Sequence, residues 1–370
     1  MAVVARHIAV DASRLLQEKR GMGRYVRNLL RELPRVRDGV SFTMHAGNGE
    51  EHPALRTLLQ SIGETAGRAP IRSASELATT TADVAWFPFN FVNPVAQRAP
   101  IAVTIHDIVP MIQLDHRWWK VLKRAKYRRR YTNSVQTSHA ILADSAFTAR
   151  EIKRLLQPDM TKVYEVLLAS DDFAPGTTDI SPLLEKLGVS GPFFMAVGAH
   201  EARKNLPVLF SAMRVLADRG TMIPLVLCGP GARLSHVGGR GGDSWLRYAG
   251  FVSDTELAAL YNRATALVFP SLYEGFGLPP LEALQCGGRV VCANASSVPQ
   301  VVGDAALLFP PGDVAALVEQ LLRVESDEAL RAELTRRGAI QAAKFRWRQT
   351  AVHTLEAFDA AIDRFRHQRS

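Results

Sequence analysis

The sequence is poor in cysteine, in long apolar runs and in acid relative to base, and each shortage excludes something. Only Cys228, Cys286 and Cys292 occur in 370 residues. Their spacing is not that of a metal site, and their apolar strand or helix-end surroundings mark them as buried reduced thiols. No apolar run approaches the roughly 20 residues that span a bilayer. The first apolar stretch, residues 8–10, is also too short for a signal peptide, so a cytoplasmic protein is expected. The dinucleotide fingerprint G-x-G-x-x-G is missing, which argues against a dehydrogenase. No helix-turn-helix, zinc-finger or RNA-binding motif is present, so nothing points to nucleic acid as a partner.

What is there is ordinary in bulk. Hydrophobic residues make up 47% and charged ones 22%, as in soluble globular proteins, and the length fits two domains. The net charge of +9 implies attraction to anions, whether nucleotides, nucleic acid or an acidic membrane face. Charge alone does not choose among these.

One stretch organises the rest. An apolar run, residues 266–269, ends in a polar, Gly-rich corner, and good helix formers follow with proline at their start. This is strand, loop, helix. Glu274 belongs to the loop, beyond the carboxyl end of the strand, where open parallel sheets bind ligands. Glu282 falls a little over one turn into the helix. Between them Gly275 and Gly277 let a backbone approach a ligand, and the free amides at the helix start, Gly277 and Leu278, suit an anion. Carboxylates accept strongly from sugar and ribose hydroxyls, so the corner suits a diphosphate flanked by hydroxyl-rich groups. A plain Gly-rich turn with one solvated and one capping glutamate is the competing reading.

Strand and helix alternate elsewhere. Residues 7–12 read as a buried strand, and Gly21 and Gly23 lead from it into an amphipathic helix over 24–33, either as a phosphate cradle or as a tight turn. Strands follow at 42–45, 84–87 and 101–105. The last of these delivers His106 to the ligand-binding edge, placed to orient a sugar hydroxyl or share a proton with an acceptor, with Asp107 as a turn cap. Residues 117–131 hold Trp118, Val121, Leu122, Ala125 and Tyr127 at helical spacing among Lys and Arg. Such a helix either lies on an anionic membrane surface or packs on its own domain with its charges solvated. A further strand and helix occupy 140–152, and residues 177–191 read as a linker. The alternation then restarts with strands at 193–198, 225–229, 248–252, 266–269 and 289–292. Arg203 and Lys204 precede a helix start and add to its positive potential, which suits a diphosphate. Ser253 and Glu256 form a capping box, residues 236–243 read as a mobile loop, and the chain is helical from 313 onward.

Residues 269–283, with the continuation 293–306 and 309–313, resemble the Glu-x7-Glu region of the retaining nucleotide-sugar glycosyltransferases of family 4, which have the two-domain GT-B fold. The resemblance extends over nearly the whole chain and is loosest in the N-terminal half. It departs at 166–170, where many members carry Pro-Asn-Gly. It implies an α/β architecture of two doubly wound, parallel-sheet Rossmann-like domains facing a cleft. The N-terminal, acceptor-side domain is expected at 1–180 and a nucleotide-sugar-binding domain at 190–350, with a last helix, about 352–370, crossing back to the first. It also implies that Arg203 and Lys204 hold the donor's phosphates, that the Gly21 and Gly23 loop closes over them, and that backbone groups at Phe251 and Val252 read the base. Glu282 then binds ribose and Glu274 the hexose.

The expected activity is transfer of a mannose-, glucose- or rhamnose-like hexose, with retention, from a nucleoside diphosphate sugar to an acceptor hydroxyl. A glycan or lipid-linked glycan of bacterial polysaccharide synthesis is the expected acceptor. No metal is expected, since the sequence shows no carboxylate cluster and the cations and amides meet the leaving group's charge. The enzyme is expected in the cytoplasm, with residues 117–131 offering contact to the inner membrane face. A nucleotide-sugar epimerase of the same architecture and a catalytically silent nucleotide-binding membrane partner are the alternatives.

Overall fold

Short strands of β-branched and small apolar residues alternate with longer helices throughout a computed structural model that describes residues 6–18, 21–47, 52–93, 98–112, 119–173, 178–198, 201–229 and 243–369. The chain divides into two units, Met1–Leu168 with Arg346–Ser370, and Ala169–Phe345.

The first unit holds seven parallel strands. They are β1 Arg6–Asp11, β2 Val40–His45, β3 Ile71–Arg72, β4 Val84–Phe87, β5 Ile101–Ile105, β6 Ala140–Ala143 and β7 Val163–Glu165, in the order 3-2-1-4-5-6-7. Ile8 of β1 lies between Phe42 of β2 and Val84 of β4. Every residue of β4, β5 and β6 is buried, because helices cover both faces of a parallel sheet. The strand order reverses between β1 and β4, so the chains leaving these two strands diverge and open a crevice at their carboxyl ends.

The last helix, Trp347–His367, completes this unit. Its buried residues, among them Thr350, Ala351, Thr354, Leu355, Phe358, Ala361 and Ile362, recur at the helical period and form one stripe. Phe358 meets Trp86 at 5.8 Å and Trp347 meets Tyr25 at 6.3 Å between ring centroids. Asp359 accepts from Arg37 Nη1 and Nη2 at 2.8 and 2.7 Å and from Arg6 Nε at 3.0 Å. The fork-to-carboxylate geometry fixes the helix's register against the helix Met22–Val36, which Arg37 follows.

The second unit repeats the plan with six parallel strands. They are β8 Phe194–Val197, β9 Leu225–Cys228, β10 Leu246–Gly250, β11 Ala266–Phe269, β12 Val290–Ala293 and β13 Leu307–Phe309, in the order 10-9-8-11-12-13. Phe194, Phe210, Leu225, Leu227, Val268, Val291 and Leu317 belong to its core. Its order reverses between β8 and β11, and that places the carboxyl-end crevice between the loops that follow these strands. All three cysteines are buried thiols outside any disulfide.

One expectation needs revision. Residues 177–191 are not an open linker over their described part: they carry the helix Ser181–Lys186, begun by Pro182, with Ile180, Leu184 and Val189 buried in the second unit. On the helix Trp119–Thr137, Leu122 is 75% exposed and Ala125 is exposed, while Tyr127 packs on the core of the first unit and Tyr131, Ser134 and Val135 are buried. Tyr131 meets Phe91 in a tilted contact at 4.6 Å and donates its hydroxyl to Asp107 O at 2.9 Å, and Arg124 Nε donates to Met111 O at 3.2 Å. Arg117 and Trp118 lie outside the described residues, as do 230–242, which include most of the expected mobile loop.

Candidate active site

The loops after β8 and β11 meet at the switch point of the second sheet. The β8 loop ends in a short turn, Ala202–Lys204, and Asn205 in left-handed conformation (φ 51°) passes the chain into the helix Leu206–Asp218. The turn is bound to the β11 loop through its backbone: Arg203 O accepts from Leu272 N at 2.7 Å and from Ser271 Oγ at 3.2 Å. Arg203 and Lys204 are thus brought to Glu274.

Glu274 is 8% exposed and both its carboxylate oxygens are engaged. Oε2 accepts from Arg203 Nη1 at 2.5 Å, and Oε1 accepts from Lys204 Nζ at 2.8 Å and from Ser271 Oγ at 2.5 Å. Burial pushes its pKa up, but the charges of Lys204 and Arg203 and the hydrogen bonds from Lys204 and Ser271 outweigh that and hold it below the ordinary carboxylate range. The Arg203 guanidinium, despite its burial, is held protonated by Glu274 and Glu201. Lys204 Nζ also stands 5.1 Å from the Phe269 ring centroid, where the π face supports a desolvated ammonium.

Two serines on the loop after β12 hold the corner itself. Ser296, in left-handed conformation (φ 55°), accepts from Glu274 N at 3.0 Å. Ser297 Oγ lies 2.9 Å from Glu274 O and 2.6 Å from Phe276 O, placed to donate to either. Gly277 caps the helix Leu278–Gln285 at φ 107°, a value an L side chain rarely takes. Pro279 and Pro280 carry no N–H and Leu281 N turns back to Gly277 O, so the helix start is left with few donors. The amides of Gly277 and Leu278 remain, and neither has an acceptor among the described residues. Two amides at a helix start, three and four residues past the carboxylate that holds the two cations, suit an anion.

Glu282 follows one turn later, 9% exposed, and accepts from Tyr261 Oη at 3.1 Å. Phe251 and Val252 follow β10 in the same unit. The Phe251 side chain is 72% exposed and that of Val252 buried, and the capping box of Ser253 and Glu256 starts the helix Asp254–Arg263 behind them.

Three expected site residues belong to the first unit. Gly21 caps the helix Met22–Val36 at φ 53°, and Gly23 is needed for close approach, since a Cβ there would lie 1.6 Å from Glu18 O. His106 is in the crevice after β5, but its ring is engaged within the protein. Nδ1 lies 2.7 Å from Asp144 Oδ2 and Nε2 lies 2.8 Å from Pro88 O, while Asn90 Oδ1 accepts from His106 N at 2.7 Å. A carbonyl only accepts, so Nε2 is placed to donate to Pro88. Burial works against a charged ring, yet Asp144 and the Pro88 carbonyl prevail and raise its pKa. Asp107 caps a turn through Val109 N at 3.1 Å.

Sequence reasoning missed Ser271, Ser296, Ser297, Tyr261 and Asp144. Single serines between apolar strands leave no pattern. Asp144 was visible at a strand end, but nothing local points it at His106, 38 residues away.

Comparisons with known proteins bear on the family and the fold. Residues 185–341 match the family Glycosyl transferases group 1. The O-antigen chain mannosyltransferase B of Escherichia coli is 37% identical over 236 residues, 61% of each chain. The serotype-specific mannosyltransferase WbdA of the same species is 32% identical over 269 residues, 68% of this chain and 32% of its own. The chain therefore spans about three fifths of the first relative's length and a third of the second's. Sucrose-phosphate synthase from Thermosynechococcus elongatus superimposes with a TM-score of 0.72 over 95% of this chain and 98% of its own, at 16% identity, which shows a shared fold. The chain has the GT-B fold, and within it residues 185–341 carry the match to the family Glycosyl transferases group 1.

Proposed function

We propose that this protein is a retaining hexosyltransferase that moves a sugar from a nucleoside diphosphate to an acceptor hydroxyl of a growing glycan or lipid-linked glycan. The mannosyltransferase relatives make mannose the first donor sugar to test. The observation that carries this reading is the placement of Arg203, Lys204 and the Gly277 and Leu278 amides around Glu274 at the switch point of the second sheet.

Arg203, Lys204 and the two amides take the diphosphate, which competes for the cations that hold Glu274 in the ligand-free chain. Glu274 then turns to the hexose hydroxyls and orients the anomeric carbon. Glu282 accepts from ribose hydroxyls, and the backbone at Phe251 and Val252 faces the base. A carboxylate with a lowered pKa is a weak nucleophile, which favours substitution on one face without a covalent intermediate. The bond from the anomeric carbon to the phosphate oxygen breaks and the bond to the acceptor oxygen forms. The acceptor's proton passes to the departing phosphate. The charge on the leaving group is met by protein groups, so the reaction as proposed requires no metal. Gly21, Gly23 and His106 serve on the acceptor-side unit, His106 by bracing the crevice after β5 through Asp144 and Pro88.

The helix Trp119–Thr137 is proposed to touch an anionic membrane face. Its exposed Leu122 sits among Lys123, Arg124, Lys126, Arg128 and Arg129, and no acid occurs in the helix. No helix among the described residues is long and apolar enough to cross a membrane, so the contact is peripheral.

The test is product formation from a panel of GDP, UDP, ADP and dTDP hexoses with a glycan acceptor, with the anomeric configuration read by NMR. An α-linked product from an α-linked donor supports the reading. Inverted product, donor isomerised without acceptor, or binding without turnover each overturns it.

A further inference from the structure

Two helices of the second unit are joined at their carboxyl ends. Tyr261, in the last turn of Asp254–Arg263, is fully buried and donates its hydroxyl to Glu282 Oε2 at 3.1 Å. The neighbouring Asn262 donates from Nδ2 to Cys286 O at 2.8 Å, just past the end of Leu278–Gln285. Gly288 lets the two ends close up, since a Cβ there would stand 2.5 Å from Tyr261 O. Burial and the charge of Glu282 keep the phenol protonated, so it faces the carboxylate as a donor. The same helix begins at Ser253, directly after Phe251 and Val252.

The last torsion of a glutamate is broad, so a carboxylate held at one point can swing its plane. A diol is read well only when that plane is set. We propose that Tyr261 is a positioning residue that determines ribose specificity: by holding Oε2 it sets the plane of Glu282 toward the nucleotide's ribose. Because Tyr261 rides on a helix that starts at the base-reading turn, it also fixes the distance from base to ribose. This inference rests on the proposed role of Glu282 in binding ribose.

Calorimetric titration of GDP and UDP against their 2′-deoxy and 3′-deoxy counterparts tests it. The wild type is expected to prefer the ribonucleotide by roughly tenfold or more, the size of a hydrogen bond to a charged group. Glu282→Gln should abolish most of that preference. Tyr261→Phe should lower it at least about threefold, through weaker ribonucleotide binding with deoxynucleotide affinity unchanged. Asn262→Ala removes the neighbouring tie and should lower the melting temperature while keeping the preference, which separates positioning from general stability. Should Tyr261→Phe fail to fold, Tyr261→Met, also without a donor but able to repack, is read in its place. Full preference in the Tyr261 variant alongside its loss in Glu282→Gln overturns the inference and leaves the ribose role standing. Full preference in Glu282→Gln overturns both.

Discussion

Arg203 Nη1 lies 2.5 Å from Glu274 Oε2, although 71 positions separate the two residues in the chain. The contact exists because β8 and β11 are neighbours at the point where the strand order reverses, so their loops leave on either side of one crevice. Lys204 completes the pairing at 2.8 Å. With side-chain exposures of 17%, 13% and 10% for Arg203, Lys204 and Glu274, the triad is nearly dry. Removing its anion therefore leaves Lys204 without its carboxylate and Arg203 with only the exposed Glu201 as a paired acid.

Glu274→Ala should lower turnover far more than nucleotide affinity, because Glu274 acts on the hexose and the cations remain for the diphosphate. The same change should cost about 3–5 kcal/mol of stability, the usual loss when a buried pair is broken. Glu282→Ala should weaken nucleotide binding first. Steady-state kinetics with titration of the nucleoside diphosphate measures the split. A glycosyl adduct on Glu274, found by mass spectrometry, would contradict the assigned roles.

The pH dependence has a definite sign. The folded pKa of Glu274 lies below its ordinary 4.5, so its contribution is complete above that value and is lost as pH falls through the lower folded value. The gap in melting temperature between wild type and Glu274→Gln should be constant from pH 7 to about 5 and shrink below about 4.5. A gap that widens on acidification refutes the ion pairing.

Gly23→Ala places a methyl against Glu18 O, and the backbone of the loop or the helix start has to move. A loss of about 1–3 kcal/mol is expected from such overpacking, read as a lower melting temperature. Gly21→Ala meets no atom and suffers only from its positive φ, so it should cost less, about 1 kcal/mol.

Truncation after Phe345 should unfold the first unit. The lost helix covers Trp86 and Tyr25 with Phe358 and Trp347 and buries Leu355 and Ile362, each large apolar side chain contributing about 1.5–3 kcal/mol. Limited proteolysis should then degrade residues before 168 and spare a fragment containing residues 185–341. Asp359→Asn, which weakens only the ties to Arg37 and Arg6, should cost about 1 kcal/mol, since Asp359 is one third exposed.

Much of the fold was legible because the central strands are written in runs such as 101–105, apolar but for Thr104, and 266–269, apolar throughout, each bounded by turn residues. The edge strands β3, β7 and β13 went unseen. At two or three residues they are too short for any period, and only a paired neighbour makes them strands. Apolar residues at helical spacing show that a face exists, and the neighbours of the helix decide which face is covered.

The candidate site divides in the same way. The corner at 274–278, the cations at 203 and 204 and the histidine at 106 could be picked out because strand ends, glycines and charges are local features. The partners could not: Ser271 and Ser297 on the Glu274 corner, Tyr261 on Glu282, Asp144 on His106.

By itself the order of amino acids determined where strands begin and end, where a backbone must bend through glycine, and which charged side chains stand at ligand-facing edges, because these depend on torsions and periodicity within a few residues. Tertiary structure decided that Glu274 rests between two cations, that a terminal helix closes the first unit and that the His106 ring lies between Asp144 and Pro88. Those outcomes follow from which strands lie side by side, and strand adjacency is set by burial across the whole sheet rather than by any one segment.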